Sequence, residues 1–192
     1  MGCDIHTVGQ IRGRDGKWET KRENIADEWR TYDSFAVLAN VRNGSGFAGC
    51  DTGEGWKPIA EPRGLPEGFK MKYEDHIYDY DEKKKWMGDH SHSWVTLKEL
   101  KDKIKTYKNK LYEIHGMISL EQYKQLQSGK IPDNWCEYTN AKDYVRTTWK
   151  VSCLKRLKWL TLVVKELELI LECSYEDNIK DEDVRMVFGF DS

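Results

Sequence analysis

Apolar and polar residues alternate along "CDIHTVGQIR", and a period of two predicts a β-strand. Asp4, His6 and Val8 fall on one face of it, and Cys3, Ile5, Thr7 and Ile11 on the other. The Asp15-Gly16 turn that follows predicts a hairpin, with "KWETKRE" as the returning strand. In "YDSFAVLANVRNG" the pattern becomes helical. Phe35, Leu38 and Val41 share a face, Asp33 or Ser34 can cap the start, and Asn43-Gly44 stops it. Thr96 and Glu99 form a capping box ahead of Leu97, Leu100 and Ile104. His90 and His92 precede that helix start, and in an extended tract both imidazoles point the same way. Ser119 and Gln122 form a second box, on a short helix ending at Gly129. The longest helical stripe runs through Leu154, Leu157, Leu160, Val164, Leu167 and Leu171. "DVRMVFGFDS" is predicted as a buried strand. Val184, Met186, Phe188 and Phe190 face one way, and Arg185, Val187, Gly189 and Asp191 the other.

Strands near both ends, with a long helix before the last, predict an α+β (or α/β) fold. It is expected as a single domain over residues 1–192, its central sheet containing the N- and C-terminal strands and flanked by helices. Between the first two helices lies "GSGFAGCDTGEGWKPIAEPRGLPEG", with nearly half of the 15 glycines and three of the 4 prolines. Such a composition predicts a long Gly-rich loop. Long ordered loops carry function more often than short connectors do, and a structural Ω-loop is the alternative. "KYEDHIYDYDEKKKW" is expected as a charged, aromatic surface excursion.

Charge narrows the function classes. Lys and Arg total 31 against 33 Asp and Glu, a net charge of −2, which argues against a dedicated duplex-DNA binder. The basic tracts "DEKKKW" and "KDKIKTYKNK" are expected as solvated faces before nucleic-acid contacts. Cys3, Cys50, Cys136, Cys153 and Cys173 are odd in number, widely spaced and without a Cys-x-x-Cys pair. This predicts reduced thiols and a cytoplasmic chain. Neither a signal peptide nor a bilayer-spanning apolar run is predicted, so no membrane partner is expected. "MGCDIH" invites an N-myristoylation reading, but His6 stands where that motif needs Ser or Thr.

The candidate chemistry lies in two histidine–carboxylate strings, "MGCDIH" and "MGDHSHSW". Asp4, His6, His90 and His92 make an N/O set suited to a divalent metal, Zn²⁺, Mn²⁺ or Fe²⁺, with Asp89, Cys3 or Cys50 as additions. Such a site polarises a phosphoryl oxygen and generates hydroxide near neutral pH. His90 and His92 could instead act without metal as acid and base on a phosphodiester, or simply fix the loop onto the helix by hydrogen bonds. Arg42 and Arg63 flank the Gly-rich loop as candidate phosphate ligands. Gly46, Gly49 and Asp51 within it would present backbone N–H groups and a polar side chain to substrate. Cys50 is a candidate nucleophile, and Asp51 and Glu54 are ligands or turn caps. His76 and His115 are expected as structural or exposed, without carboxylate neighbours of the same quality.

"MGCDIH", "FAVLANVRNGSGFAGCDTGEGWKPIAEPRGLP", "GDHSHSWVTLKEL" and "DVRMVFGFD" together resemble a family of uncharacterised proteins of bacteriophages and bacteria. The resemblance covers both ends and the first hundred residues, and less of the stretch from Lys105 to Lys150. "KVSCLKRLKWLTLVVKELELILEC" departs from the family in being more basic and cysteine-containing. The resemblance implies a phage-type setting, the host cell cytoplasm and a role in countering host defence; it implies no catalytic roles. Two readings follow. One is a metal-dependent phosphoesterase acting on a nucleotide or nucleic acid. The other is a non-catalytic anti-defence binding protein that sequesters a nucleotide signal, or another phosphate-containing ligand, or blocks a host defence protein.

Overall fold

The computed structural model describes residues 2–26, 30–69, 87–174 and 178–191, with the backbone at 72–73 and 76–77. The hairpin forms as expected from β1 (Asp4–Arg12) and β2 (Trp18–Glu23), and α1 (Tyr32–Ala39) leads to the Gly-rich loop. The expected surface excursion lies outside the described residues, apart from the paired backbone of β3 (Lys72–Tyr73) and β4 (His76–Ile77). From there β5 (His90–Thr96) runs into α2 (Leu97–Thr106), and β6 (Leu111–Ser119) into α3 (Leu120–Gln127). β7 (Tyr144–Ser152) runs into α4 (Cys153–Arg156) and α5 (Lys158–Glu172), followed by β8 (Val184–Asp191). The fold is α+β, and its central antiparallel sheet has the order β2-β1-β8-β5.

β8 is central, and this explains its nearly unbroken apolar run: a strand covered on both faces needs apolar residues in both directions. Val184, Met186, Phe188 and Phe190 face one large core with Phe35 of α1, Leu97 and Leu100 of α2, and α5. Phe35 meets Phe190 edge-on at 5.0 Å. Val187 faces the other way, with Val8, Phe69 and Met87. That second face also carries Arg185, a buried guanidinium whose Nε donates to Gln10 Oε1 at 2.9 Å. The indole of Trp18 lies 3.8 Å from it and that of Trp94 5.7 Å, with Arg12 and Arg63 stacked on their outer sides. Burial, then the nearby Arg12, lowers the Arg185 pKa to about 10, so it stays charged at neutral pH. The rings and Gln10 offset that desolvation in place of a carboxylate.

Several elements differ from the pattern-based expectation. β6 and β7 form a second antiparallel sheet, Leu111↔Ser152 to Ser119↔Tyr144, and bury Tyr112, Ile114, Ile118, Trp149 and Val151 in the main core. α1 ends at Asn40, in left-handed backbone (φ 62°), rather than at Asn43-Gly44. Neither Asp33 nor Ser34 caps it: Asp33 is held by Trp56 Nε1 (2.8 Å) and by Arg156. The long leucine stripe breaks at Leu157, and its buried centre is Leu160, Val163, Leu167 and Ile170, with Val164 and Leu171 at the edge. Both capping boxes form, at Thr96–Glu99 and Ser119–Gln122.

Residues 87–89 cross the end of β8. Asp89 N–H donates to Phe190 O at 2.7 Å, and Gly88 takes φ +82°. The crossing needs Gly189: a Cβ there would stand 2.0 Å from Met87 O. Gly189→Ala is therefore expected to destabilise the protein by about 1–3 kcal/mol, through overpacking against rigid backbone. An unchanged denaturation midpoint would contradict this packing.

Candidate functional site

The two histidine strings do approach each other, but not as one set of ligands. Asp4 opens β1, and its carboxylate is bound by Arg30, Nε–Oδ1 2.6 Å and Nη2–Oδ2 3.0 Å. That hydrogen bond holds its pKa below the usual carboxylate range. His6 Nε2 lies 2.9 Å from Asp191 Oδ2, at the far end of the paired β8. His90 and His92 do not point the same way. A bulge between His90 and Ser93, with Ser91 at φ 52°, adds one residue to β5 and turns one ring over. His90 stacks on Phe190, at 5.9 Å, and hydrogen-bonds Ser91 Oγ through Nδ1. His92 lies against Gly189 on the opposite face, its Nε2 3.0 Å from Gly88 O.

His6 and His92 thus flank Gly189 on one face, from β1 and β5. Two strand spacings put their backbones roughly 10 Å apart, and the Met87 carbonyl packs on Gly189 between those strands. Among the described residues no group of three or more His, Cys, Asp and Glu side chains is placed to hold a metal ion. Cys3 is buried, which raises its thiol pKa; Cys50 is half-buried. Arg63 is engaged with Glu99 (2.6 Å) and the Trp94 carbonyl (3.1 Å), and so ties the loop to the start of α2. Gly49 is exposed with open space beside it, while a Cβ on Gly46 would strike the Glu137 carboxylate.

What the fold gathers instead is a cleft at each end of α1. Arg42 and His90 line one, of about 480 Å³, with Glu61 and Ser91. The Arg42 guanidinium stands 5.7 Å over the ring of Tyr32, and Tyr32 lines the second cleft, of about 440 Å³. Arg30, Thr31, Trp135, Glu137 and Arg156 complete that second wall. Arg156 pairs with Asp33 and stacks 5.3 Å over Trp135. Glu137 accepts the Phe47 N–H of the Gly-rich loop, and burial raises its pKa. Among the described residues, the buried side-chain polar atoms without a hydrogen-bond partner are Thr31 Oγ1, Ser34 Oγ and Arg156 Nε. Two of these line the second cleft, and Ser34 sits in the adjoining first turn of α1. Buried polar groups are nearly always satisfied, and these three lie close together behind the wall of the second cleft.

Asp51 serves a different centre. His115 of β6 lies between two carboxylates, Nδ1 2.8 Å from Asp51 Oδ2 and Nε2 3.2 Å from Glu113 Oε1. This corrects the expectation that His115 lacks carboxylate neighbours. Glu113, two positions along a strand, was a local signal for it. Asp51 is brought in by the Gly53↔Ile114 bridge and by the His115 N–H bond to Thr52 O. Arg146 donates to the Asp51 carbonyl at 3.2 Å, and Lys150 stands 4.0 Å from Glu113.

Compared with protein-family models, curated proteins and solved structures, the chain matches none. No helix among the described residues is long and apolar enough to cross a membrane.

The hydrogen bonds to Asp51 and Glu113 raise the His115 pKa. The pairing is therefore complete below the unfolded-state imidazole pKa and is lost as the pH rises through the higher folded-state value. An NMR titration should place the His115 midpoint above that of a free imidazole, about 6.5, and Asp51→Asn should lower it. A midpoint that Asp51→Asn leaves in place would remove Asp51 from the pairing.

Proposed function

We propose that this protein is a binding protein for a nucleotide, held in the cleft between the first turn of α1 and Arg156. The observation that carries the reading is the meeting of Trp135 and Tyr32 with Arg30 and Arg156 in one cleft. An aromatic wall takes a base by stacking, at about 1–3 kcal/mol per base. Arg30 and Arg156 line the cleft, Arg42 stands over Tyr32, and guanidinium groups suit phosphate. In the phage-type setting that the resemblance implies, the role would be to sequester a nucleotide signal of a host defence, without turnover.

The metal-dependent phosphoesterase reading draws less support. It needs Asp4, His6, His90 and His92 on one ion, whereas Arg30 holds Asp4 and the bulge at Ser91 separates the two histidines of β5. One sample separates the readings. Nucleotide recovered intact after incubation supports binding alone. Cleaved product, together with a melting temperature raised by Mn²⁺ or Zn²⁺, would move the function to the phosphoesterase.

Arg156→Lys keeps a cation for Asp33 but removes the Nε–H and the planar stack on Trp135. It should weaken nucleotide binding by about tenfold in calorimetry, with the circular dichroism spectrum unchanged. Unaltered affinity in a folded Arg156→Lys protein would place the ligand elsewhere.

A further inference from the structure

Next to the nucleotide cleft lies a smaller, more open pocket of about 330 Å³, lined by Phe47, Trp135, Cys136, Glu137 and Tyr138. Phe47 and Tyr138 are 55% and 63% exposed, so both rings are accessible to a ligand. Trp135 is partly buried and packs edge-on against Trp149 at 5.9 Å. The pocket shares Phe47, Trp135 and Glu137 with the cleft that holds the arginines. A ligand with a flat ring at one end and a phosphate at the other therefore fits the two together.

Resting on the nucleotide-binding reading above, we infer that the base is guanine and that Glu137 reads it. The carboxylate stands among three aromatic rings, and the Phe47 N–H fixes one of its oxygens, Oε2. Oε1 accepts no hydrogen bond among the described residues, and one face of the carboxylate rests on Gly46. Guanine offers two adjacent N–H donors, N1–H and N2–H, to such an acceptor pair. Adenine offers one donor beside the N1 lone pair, and cytosine one donor beside N3, each of which sets a lone pair against a carboxylate oxygen. Asp33, the other acid of the cleft, is committed to Trp56 and Arg156 and cannot substitute. Burial opposes the charge on Glu137, and two N–H donors from a ligand would stabilise it.

The test is calorimetric titration of the full chain with GMP, AMP and 1-methyl-GMP, and of Glu137→Gln with the first two. GMP should bind at least about tenfold more tightly than AMP. 1-Methyl-GMP, which lacks the N1–H, should lose that advantage without any change to the protein. Glu137→Gln can still accept from Phe47, but its amide presents one donor and one acceptor, so the preference should shrink or turn toward AMP. Equal binding of GMP and AMP would overturn the guanine assignment and leave the nucleotide reading standing. Binding of neither would overturn both. A guanine preference that survives both 1-methyl-GMP and Glu137→Gln would remove Glu137 as the reader.

Discussion

The pairing of β1 with β8 is the constraint on which the rest of the structure depends. It joins residues 187 positions apart, in continuous register from Asp4↔Asp191 to Ile11↔Val184. Closing so long a loop costs entropy that grows only slowly with length. Burial of β8 on both faces supplies the offsetting term, at roughly 25 cal/mol per Å² of apolar surface. Once the register is set, much else follows. His6 must face Asp191 rather than a partner on β5, and Gly189 must lie where residues 87–89 cross. β5 must then absorb an extra residue at Ser91 to pair both Phe190 and Phe188.

Two groups of arginines occupy different environments. On the second face of the sheet, Arg12, Arg185 and Arg63 stack with Trp18 and Trp94, and Arg12 and Arg63 also pair with Asp183 and Glu99. These groups hold the sheet to its covering loop. Arg30, Arg42 and Arg156 gather instead at the first turn of α1, where Arg42 stands over Tyr32 and Arg156 over Trp135. The Gly-rich loop links both regions. Its Phe47 N–H meets Glu137, its Asp51 meets His115, and Arg63 beyond it pins the chain to α2.

The elements near the chain ends were legible because their periodicity is local. Val184 to Phe190 alternate between two buried faces, and Thr96 with Glu99 announces a helix from four residues of sequence. β7 was not legible: Arg146, Thr148 and Lys150 are polar, and its buried side is little more than Trp149 and Val151. The bulge at Ser91 has no local signal, since a serine at positive φ is imposed by β8 and the crossing of residues 87–89. For the same reason two histidines spaced for one face ended on opposite faces. Of the candidate site residues, Arg42 and His90 were brought to one cleft, and Arg30, Trp135, Glu137 and Arg156 were missed. Arg30 lies more than a hundred residues before the other three, and tertiary packing alone joins them.

The most direct test of a nucleotide cleft at Arg156 is to follow the ¹H–¹⁵N resonances of Arg156 Nε and the tryptophan Nε1 groups during titration with GMP. Arg156 and Trp135 should shift together and saturate. Trp159, whose indole donates to Ala26 O at 2.7 Å in the buried core, should stay in place. Resonances of Arg156 and Trp135 that remain fixed at millimolar nucleotide would contradict the account.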